Sequence, residues 1–282
     1  MSSILHQLCR CTVAVVLLGV SLPGCSNEAP SGRAADAQAA ARARIAQAKF
    51  EAYCKGAGEK IARTVEGVDG VFLLKLRPQE RNFGKQFVMD DPYGDDLSGE
   101  GYLHTFLRGS YRGKNPQAGW PKRQGYDYVD ALDGDSQRYR YTGAWKDVLI
   151  TGSVMSGYYG KQWYSNEFVL DKTLVKGPAP RYGVIYDDIS THEDREYWIA
   201  GSSLRVIDLQ TNEVIAERIG YMWDPGQGNN SGGRSPWMVA ADYACPGFNR
   251  YAGYKPREPA FVLQAQQTED FVEKVLIPKV EK

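Results

Sequence analysis

The fold is decided by two apolar runs joined by a turn, Ser203-Leu-Arg-Val-Ile-Asp-Leu209 and Val214-Ile-Ala-Glu-Arg-Ile-Gly-Tyr-Met222. The two runs are short and apolar, and they flank a polar turn, as expected for two paired strands. The connecting Gln210-Thr-Asn-Glu213 contains Asn212, which tolerates the left-handed backbone that a tight hairpin turn requires. The stretch therefore predicts an antiparallel β-hairpin.

The surrounding sequence adds further strand candidates. Apolar and aromatic residues recur in short runs bounded by Gly, Pro and Asp, as expected for strands separated by turns. The predicted strands are 71–76, 102–107, 139–145, 163–170, 182–186 and 196–200. A propeller blade would also supply such hairpins, but blades recur at a fixed period and no second copy is present.

Helices are predicted at both ends of this β-rich part. Residues 34–63 are rich in Ala, Arg, Gln, Lys and Glu, which are strong helix formers, and predict a helix or stalk. Residues 268–277 predict a short helix with Thr268 as its N-cap and Pro278 as its stop. The fold class predicted is α+β: a mainly antiparallel sheet domain over residues 64–282, an N-terminal helix and a short C-terminal helix.

The first residues have the features of a targeting signal. Arg10 precedes an apolar core that is shorter than the roughly 20 residues needed to span a bilayer, so residues 1–24 predict a signal peptide. The segment ends in Leu22-Pro23-Gly24-Cys25, which resembles the bacterial lipobox, and residues 25–33 have the composition of a linker. Cys25 is the predicted lipidation site; the alternative is an ordinary secretory signal with a chance Cys.

The resemblance to the lipobox also indicates where in the cell the protein would lie. Acylation of Cys25 would anchor the chain in a membrane, and Ser26 in the next position implies the outer membrane with the protein facing the periplasm. A surface lipoprotein of a Gram-positive cell is the alternative.

Charge excludes one class of partner. The 282 residues carry 34 Lys and Arg against 34 Asp and Glu, so the formal net charge is zero. Nucleic-acid binding needs a basic surplus or a basic stripe, and neither is present. The sequence therefore predicts no nucleic-acid partner.

The five cysteines divide between processing and structure. Cys9 and Cys11 lie in the signal peptide, and lipidation would use Cys25. Cys54 and Cys245 remain, and in an oxidising envelope the two leftover thiols predict a disulfide. Two separate buried thiols are the alternative.

A search for catalytic chemistry finds little. Only His104 and His192 follow the signal peptide, too few for a zinc site of ordinary spacing, and no Ser has a Gly-x-Ser-x-Gly frame. The acidic stretch 90–96 does not follow the EF-hand order of a calcium loop. We therefore predict a protein without catalytic residues, metal or cofactor; a hydrolase assembled through His104 or His192 is kept as an alternative.

Partner binding is the remaining prediction. The acidic stretch offers charge to a partner, and the Gly-rich loop 224–237 is of a length that often carries interactions. Tyrosine clusters at 158–164 and 251–254 also suit protein interfaces or sugar stacking. The candidate partner-binding residues are Asp90, Asp91, Tyr93, Asp95, Asp96, Arg234 and Trp237.

Part of the chain resembles a known group of proteins. The run from Tyr197 to Arg218, Gly233-Arg-Ser-Pro-Trp237 and Ala244-Cys-Pro246 is similar to proteobacterial lipoproteins that act as immunity proteins against type VI secreted lipase effectors. The resemblance covers about residues 50–250. It implies an envelope protein that binds and blocks a phospholipase, with Cys25 as the anchor. The alternative function is a non-catalytic lipoprotein that binds envelope glycan or peptidoglycan.

Overall fold

The structure, a computed structural model, describes residues 32–93, 99–110, 124–150, 164–248 and 261–280. The chain divides into two compact units, residues 1–38 and 39–282. The described part of the first unit is the beginning of a helix. The predicted signal peptide, Cys25 and most of the predicted linker lie outside the described residues.

The described elements confirm an α+β fold. The helices are α1 Gly32–Cys54, α2 Glu100–Phe106, α3 His192–Glu196, α4 Pro236–Ala240 and α5 Phe261–Val275. The strands are β1 Gly58–Ile61, β2 Val65–Val68, β3 Gly70–Leu73, β4 Tyr128–Leu132, β5 Arg138–Leu149, β6 Tyr164–Leu174, β7 Tyr182–Asp188, β8 Ile199–Asp208, β9 Glu213–Trp223, β10 Ala244–Cys245 and β11 Leu276–Pro278.

Nine of the described strands form one sheet in the order β1-β9-β8-β7-β3-β4-β5-β6, with β10 also paired to β9. Neighbouring strands are antiparallel except at β3, which is parallel to both β4 and β7. A second, two-stranded sheet pairs β11 with β2 in parallel. The sheet is therefore mainly antiparallel, as predicted, with one parallel strand in its interior.

The central hairpin is confirmed. β8 and β9 pair along their lengths, with Leu204 opposite Arg218, and Asn212 adopts a φ of 57° in the turn. One detail of the prediction was wrong: 196–200 and 203–209 are not two strands. Glu196 ends α3, and a single strand runs from Ile199 to Asp208, because β7 and β9 pair with it on both sides across Gly201-Ser-Ser203.

The N-terminal helix is shorter than predicted. α1 ends at Cys54 rather than at residue 63, and the last predicted helical residues form β1. Gly58 has a φ of 132°, a conformation that the helix cannot hold. Because β1 joins the edge of the main sheet by pairing with β9, the β-rich part begins before residue 64.

Two other predictions were also wrong. The predicted strand 102–107 is mostly helix α2, because Tyr102, Thr105 and Phe106 are buried at helical rather than alternating spacing. The C-terminal helix begins at Phe261, and Thr268 is buried within it instead of capping it. Apolar periodicity misses the first part of α5 because its polar residues are buried.

The main core lies against one face of the sheet. Side chains from β3, β4, β7 and β8 pack with side chains from α2 and α5, and each large one contributes about 1.5–3 kcal/mol. The cluster includes Val71, Leu73, Leu103, Phe106, Val129, Val184, Leu204, Val206, Phe271 and Val275. A second cluster surrounds Trp198 and Trp237, and a third joins α1 to the sheet.

The predicted disulfide is present between Cys54 and Cys245, whose Cα atoms lie 5.6 Å apart. It joins the last residue of α1 to β10 across a sequence separation of 191. The alternative of two separate thiols is thereby set aside. Within the described ranges, no helix is long and apolar enough to cross a membrane.

Candidate partner-binding loop

A loop between β3 and α2 exposes four large apolar side chains. We call residues 82–90 the apolar loop. The exposed fractions are 43% for Phe83, 48% for Phe87, 43% for Val88 and 45% for Met89. A group of neighbouring exposed apolar side chains on a structured loop is typical of an interaction site, whereas isolated ones are ordinary.

Asn82 closes the loop at its base. Its Oδ1 accepts hydrogen bonds from the backbone N–H groups of Gly84 (3.2 Å) and Lys85 (2.7 Å). Its Nδ2 donates to the Lys85 carbonyl (3.0 Å) and to Asp90 Oδ1 (2.9 Å). One buried side chain thus ties the start of the loop to its middle and to its end.

The rest of the protein fixes the middle of the loop. Gln86 Nε2 donates to the carbonyl oxygens of Arg195 (2.9 Å) and Glu196 (3.2 Å) at the end of α3. Trp237 donates its backbone N–H to the Phe83 carbonyl (3.2 Å) and its indole N–H to the Lys85 carbonyl (3.3 Å). The backbone of the apolar loop is therefore held in place while its apolar side chains face outward.

Phe87 rests on α3 as well. Its ring stacks on the imidazole of His192, with centroids 4.4 Å apart and planes 9° apart. His192 is itself exposed, as the sequence predicted for a turn residue, and begins α3.

A buried ion pair anchors the end of the loop. Arg77 donates to the backbone carbonyl of Asp91 (2.9 Å) and to its Oδ2 (3.1 Å), and both side chains are almost wholly buried. The Asp91 backbone N–H donates to Asp188 Oδ2 (2.9 Å), and Ser202 Oγ donates to Asp91 Oδ2 (2.9 Å). Burial raises the pKa of Asp91 to about 6, although the charge of Arg77 opposes this shift.

The same network reaches α3. The guanidinium of Arg195, which is completely buried, pairs with Asp188 and lies 4.8 Å from the centroid of Trp237. Ser190 donates both its N–H and its hydroxyl to Asp188. The carboxylates and serines of this network are within the protein and join α3 and β8 to the end of the apolar loop.

Three of the seven predicted partner-binding residues lie in the interior. Asp91, Tyr93 and Trp237 are buried, so none of them can contact a partner in this conformation. Asp90 is half-buried and bonded to Asn82. Asp95 and Asp96 lie outside the described residues. The acidic stretch is thus buried in part because Asp91 pairs with Arg77 and the Tyr93 hydroxyl donates to Gln267 Oε1 (2.8 Å).

Arg234 forms an ion pair within the protein. Its guanidinium pairs with the buried carboxylate of Asp224 and donates to the Asn229 carbonyl (2.7 Å). Asp224 accepts hydrogen bonds from the backbone N–H groups of Gly226 (2.9 Å) and Gly228 (2.8 Å) as well. Arg234 therefore organises the Gly-rich loop from within.

The two histidines weighed for catalysis lie on different helices, α2 and α3. His104 is half-buried against Phe168, with ring centroids 5.3 Å apart, and burial lowers its pKa. His192 begins α3 and stacks on Phe87 of the apolar loop. In the part of the chain that the structure describes, no group of three His, Cys, Asp or Glu side chains is placed to hold a metal ion.

The apolar loop itself was missed from the sequence. Gln86-Phe-Val-Met89 is an apolar run without strand alternation, set between Gly84-Lys85 and Asp90-Asp-Pro92. Its composition suits a buried segment equally well, so the sequence gives no signal for the exposure of these residues.

Comparisons with known proteins add no identification. No family model, curated protein or solved structure matches this chain. The candidate site therefore rests on its geometry.

Proposed function

We propose that the protein is a lipid-anchored envelope protein that binds a protein partner through the apolar loop. The observation that carries this proposal is the set of four exposed apolar side chains on a backbone fixed at its base, middle and end. Large apolar and aromatic side chains supply most of the binding energy at protein interfaces. A loop that is already ordered loses little conformational entropy when it binds.

The sequence resemblance supports a particular partner, a secreted lipase effector that the protein blocks. The composition of the loop is compatible with such a partner, since Phe, Val and Met bury apolar area against protein rather than coordinate polar groups. The same function needs no catalytic residue in this chain.

A glycan-binding function is the second candidate, supported by a different observation. Trp145 and Tyr164 are exposed on the β5–β6 hairpin, by 37% and 57%, and exposed aromatic rings stack on sugars. That function would depend on these two rings and not on the apolar loop.

Replacing Val88 with Asp is expected to weaken binding of the lipase effector at least about 30-fold, which corresponds to about 2 kcal/mol. A charge in the middle of the apolar loop must lose its hydration when the interface forms. Calorimetry with purified effector measures the affinity, and survival of cells that receive the effector in the periplasm measures protection.

Val214→Asp is the matched control, because Val214 on β9 is as exposed as Val88 and lies outside the apolar loop. This control should bind and protect like wild type. If Val88→Asp binds normally, the apolar loop is not the interface. If the wild-type protein binds peptidoglycan sacculi and not the effector, and the Trp145→Ala variant does not bind sacculi, the glycan-binding function replaces the effector-binding function.

Replacing Cys25 with Ser is expected to release the protein from the membrane fraction and abolish its labelling with palmitate. A serine cannot form the thioether through which the lipid is attached, and stable anchoring requires the acyl chains. Cell fractionation followed by immunoblotting makes the measurement. A Cys25→Ser protein that still sediments with membranes would rule out the proposed anchor.

A further inference from the structure

We infer that α1 acts as a latch for the apolar loop: when α1 is docked on α3, α3 holds the loop in its binding conformation. The inference concerns regulation of the proposed binding site and therefore rests on the proposed function. It assigns a positioning role to Lys49 and Tyr53, whose described polar contacts are with Glu193 and Asp194 of α3.

Polar contacts join α1 to α3. Lys49 Nζ lies 2.9 Å from Glu193 Oε1 and 3.0 Å from Asp194 Oδ1, and the Tyr53 hydroxyl donates to Asp194 Oδ1 (2.7 Å). Burial, together with the hydrogen bond to Asp194, raises the pKa of Tyr53 to about 12. Further toward the start of the helix, Arg42 donates to the Glu196 carbonyl.

Asp194 is shared between these contacts and the start of α3. Its Oδ2 accepts from the backbone N–H and the hydroxyl of Thr191 (both 2.8 Å), and Thr191 Oγ1 accepts from the Asp194 N–H (3.1 Å). This capping box begins a helix of only five residues. A helix so short has little stability of its own and depends on its tertiary contacts.

α3 in turn carries the contacts that fix the loop. The Arg195 and Glu196 carbonyls accept from Gln86, and His192 supports the ring of Phe87. The Glu196 carbonyl accepts from both Arg42 and Gln86, so α1 and the apolar loop meet at one backbone group. Displacing α3 would therefore remove the support of Phe87 and of the middle of the loop together.

The apolar contact of α1 with the sheet lies in the C-terminal half of the helix. Ala46 is buried, Phe50 lies 5.9 Å from Trp223, and Tyr53 stacks on Tyr221 at 4.8 Å between ring centroids. Many of the other side chains of α1 are exposed, including that of Ile45. Cys54 remains bonded to Cys245 whether or not α1 is docked, so the helix can release and return without leaving the molecule.

Hydrogen exchange of the intact protein, measured by mass spectrometry, tests the latch. The double variant Lys49→Met and Tyr53→Phe removes the contacts of these two residues with Glu193 and Asp194, leaves the Arg42 contact in place and keeps apolar bulk at both positions. Exchange of residues 84–90 and of α3 should rise at least tenfold, while exchange of β8 and β9 stays unchanged. Gln47→Ala is the matched control, because Gln47 bonds only along α1 to Glu51 (2.8 Å) in the described contacts.

Faster exchange confined to α1 and α3, or no change in residues 84–90, would overturn the inference. If β8 and β9 also exchange faster in the double variant, the single variant Tyr53→Phe is measured instead. Its residues 84–90 and α3 should then exchange faster while β8 and β9 stay unchanged. No partner is needed for this readout, so it is independent of the proposed function. If exchange rises as expected and Val88→Asp still binds the effector normally, the latch stands and the proposed function fails.

Discussion

Replacing Arg77 with Met is expected to lower the free energy of unfolding by about 3–5 kcal/mol, because it takes the guanidinium away from a buried carboxylate. The Arg77 and Asp91 side chains are 1% and 0% exposed, and water cannot replace the lost partner. The guanidinium also lies 3.5 Å from the centroid of Tyr186, and Met retains only part of that packing. Urea unfolding followed by tryptophan fluorescence measures the change.

Arg205→Met is the matched control. Arg205 pairs with Asp187 where the two side chains are 33% and 39% exposed, so the loss should not exceed about 1 kcal/mol. Adding Asp91→Asn to Arg77→Met should cost less than the sum of the single changes, because the two residues interact directly. Equal losses for Arg77→Met and Arg205→Met would show that the buried pair does not stabilise the fold.

Replacing Cys54 and Cys245 together with Ser is expected to lower the free energy of unfolding by about 2–5 kcal/mol. The bridge spans 191 residues, and in the chain-entropy model closing so long a loop restricts the unfolded chain by about 5 kcal/mol. Thermal unfolding with and without reductant makes the measurement. The reduced wild-type protein should unfold at the same temperature as the double variant. A wild-type unfolding temperature that does not change with reductant would contradict the expectation.

Prediction from sequence succeeded where local signals agreed. In the β8–β9 hairpin, the two apolar runs and the left-handed Asn212 between them favour the same structure. The parallel placement of β3 was not predictable, because β3 pairs with β7, more than 100 residues further along the chain. The start of α5 was missed since Gln266, Gln267 and Thr268 are polar yet buried, which hides the apolar periodicity.

The binding site was predicted less well than the fold. The acidic stretch was expected on the surface, but Asp91 pairs with Arg77 and Tyr93 bonds to Gln267, 174 residues away. The run Phe87-Val-Met89, by contrast, has the composition of a core segment. Its exposure follows from the contacts of Asn82, Gln86 and Trp237, which composition alone does not show.

The order of strands has a consequence for how the polypeptide folds as it is made. β1 pairs with β9, and β2 pairs with β11, which lies beyond residue 275. The first two strands thus obtain their partners only after much later parts of the chain have been synthesised, and such non-local pairing is slow. We expect these two strands to stay unpaired, and the fold incomplete, until β9 and β11 have been synthesised.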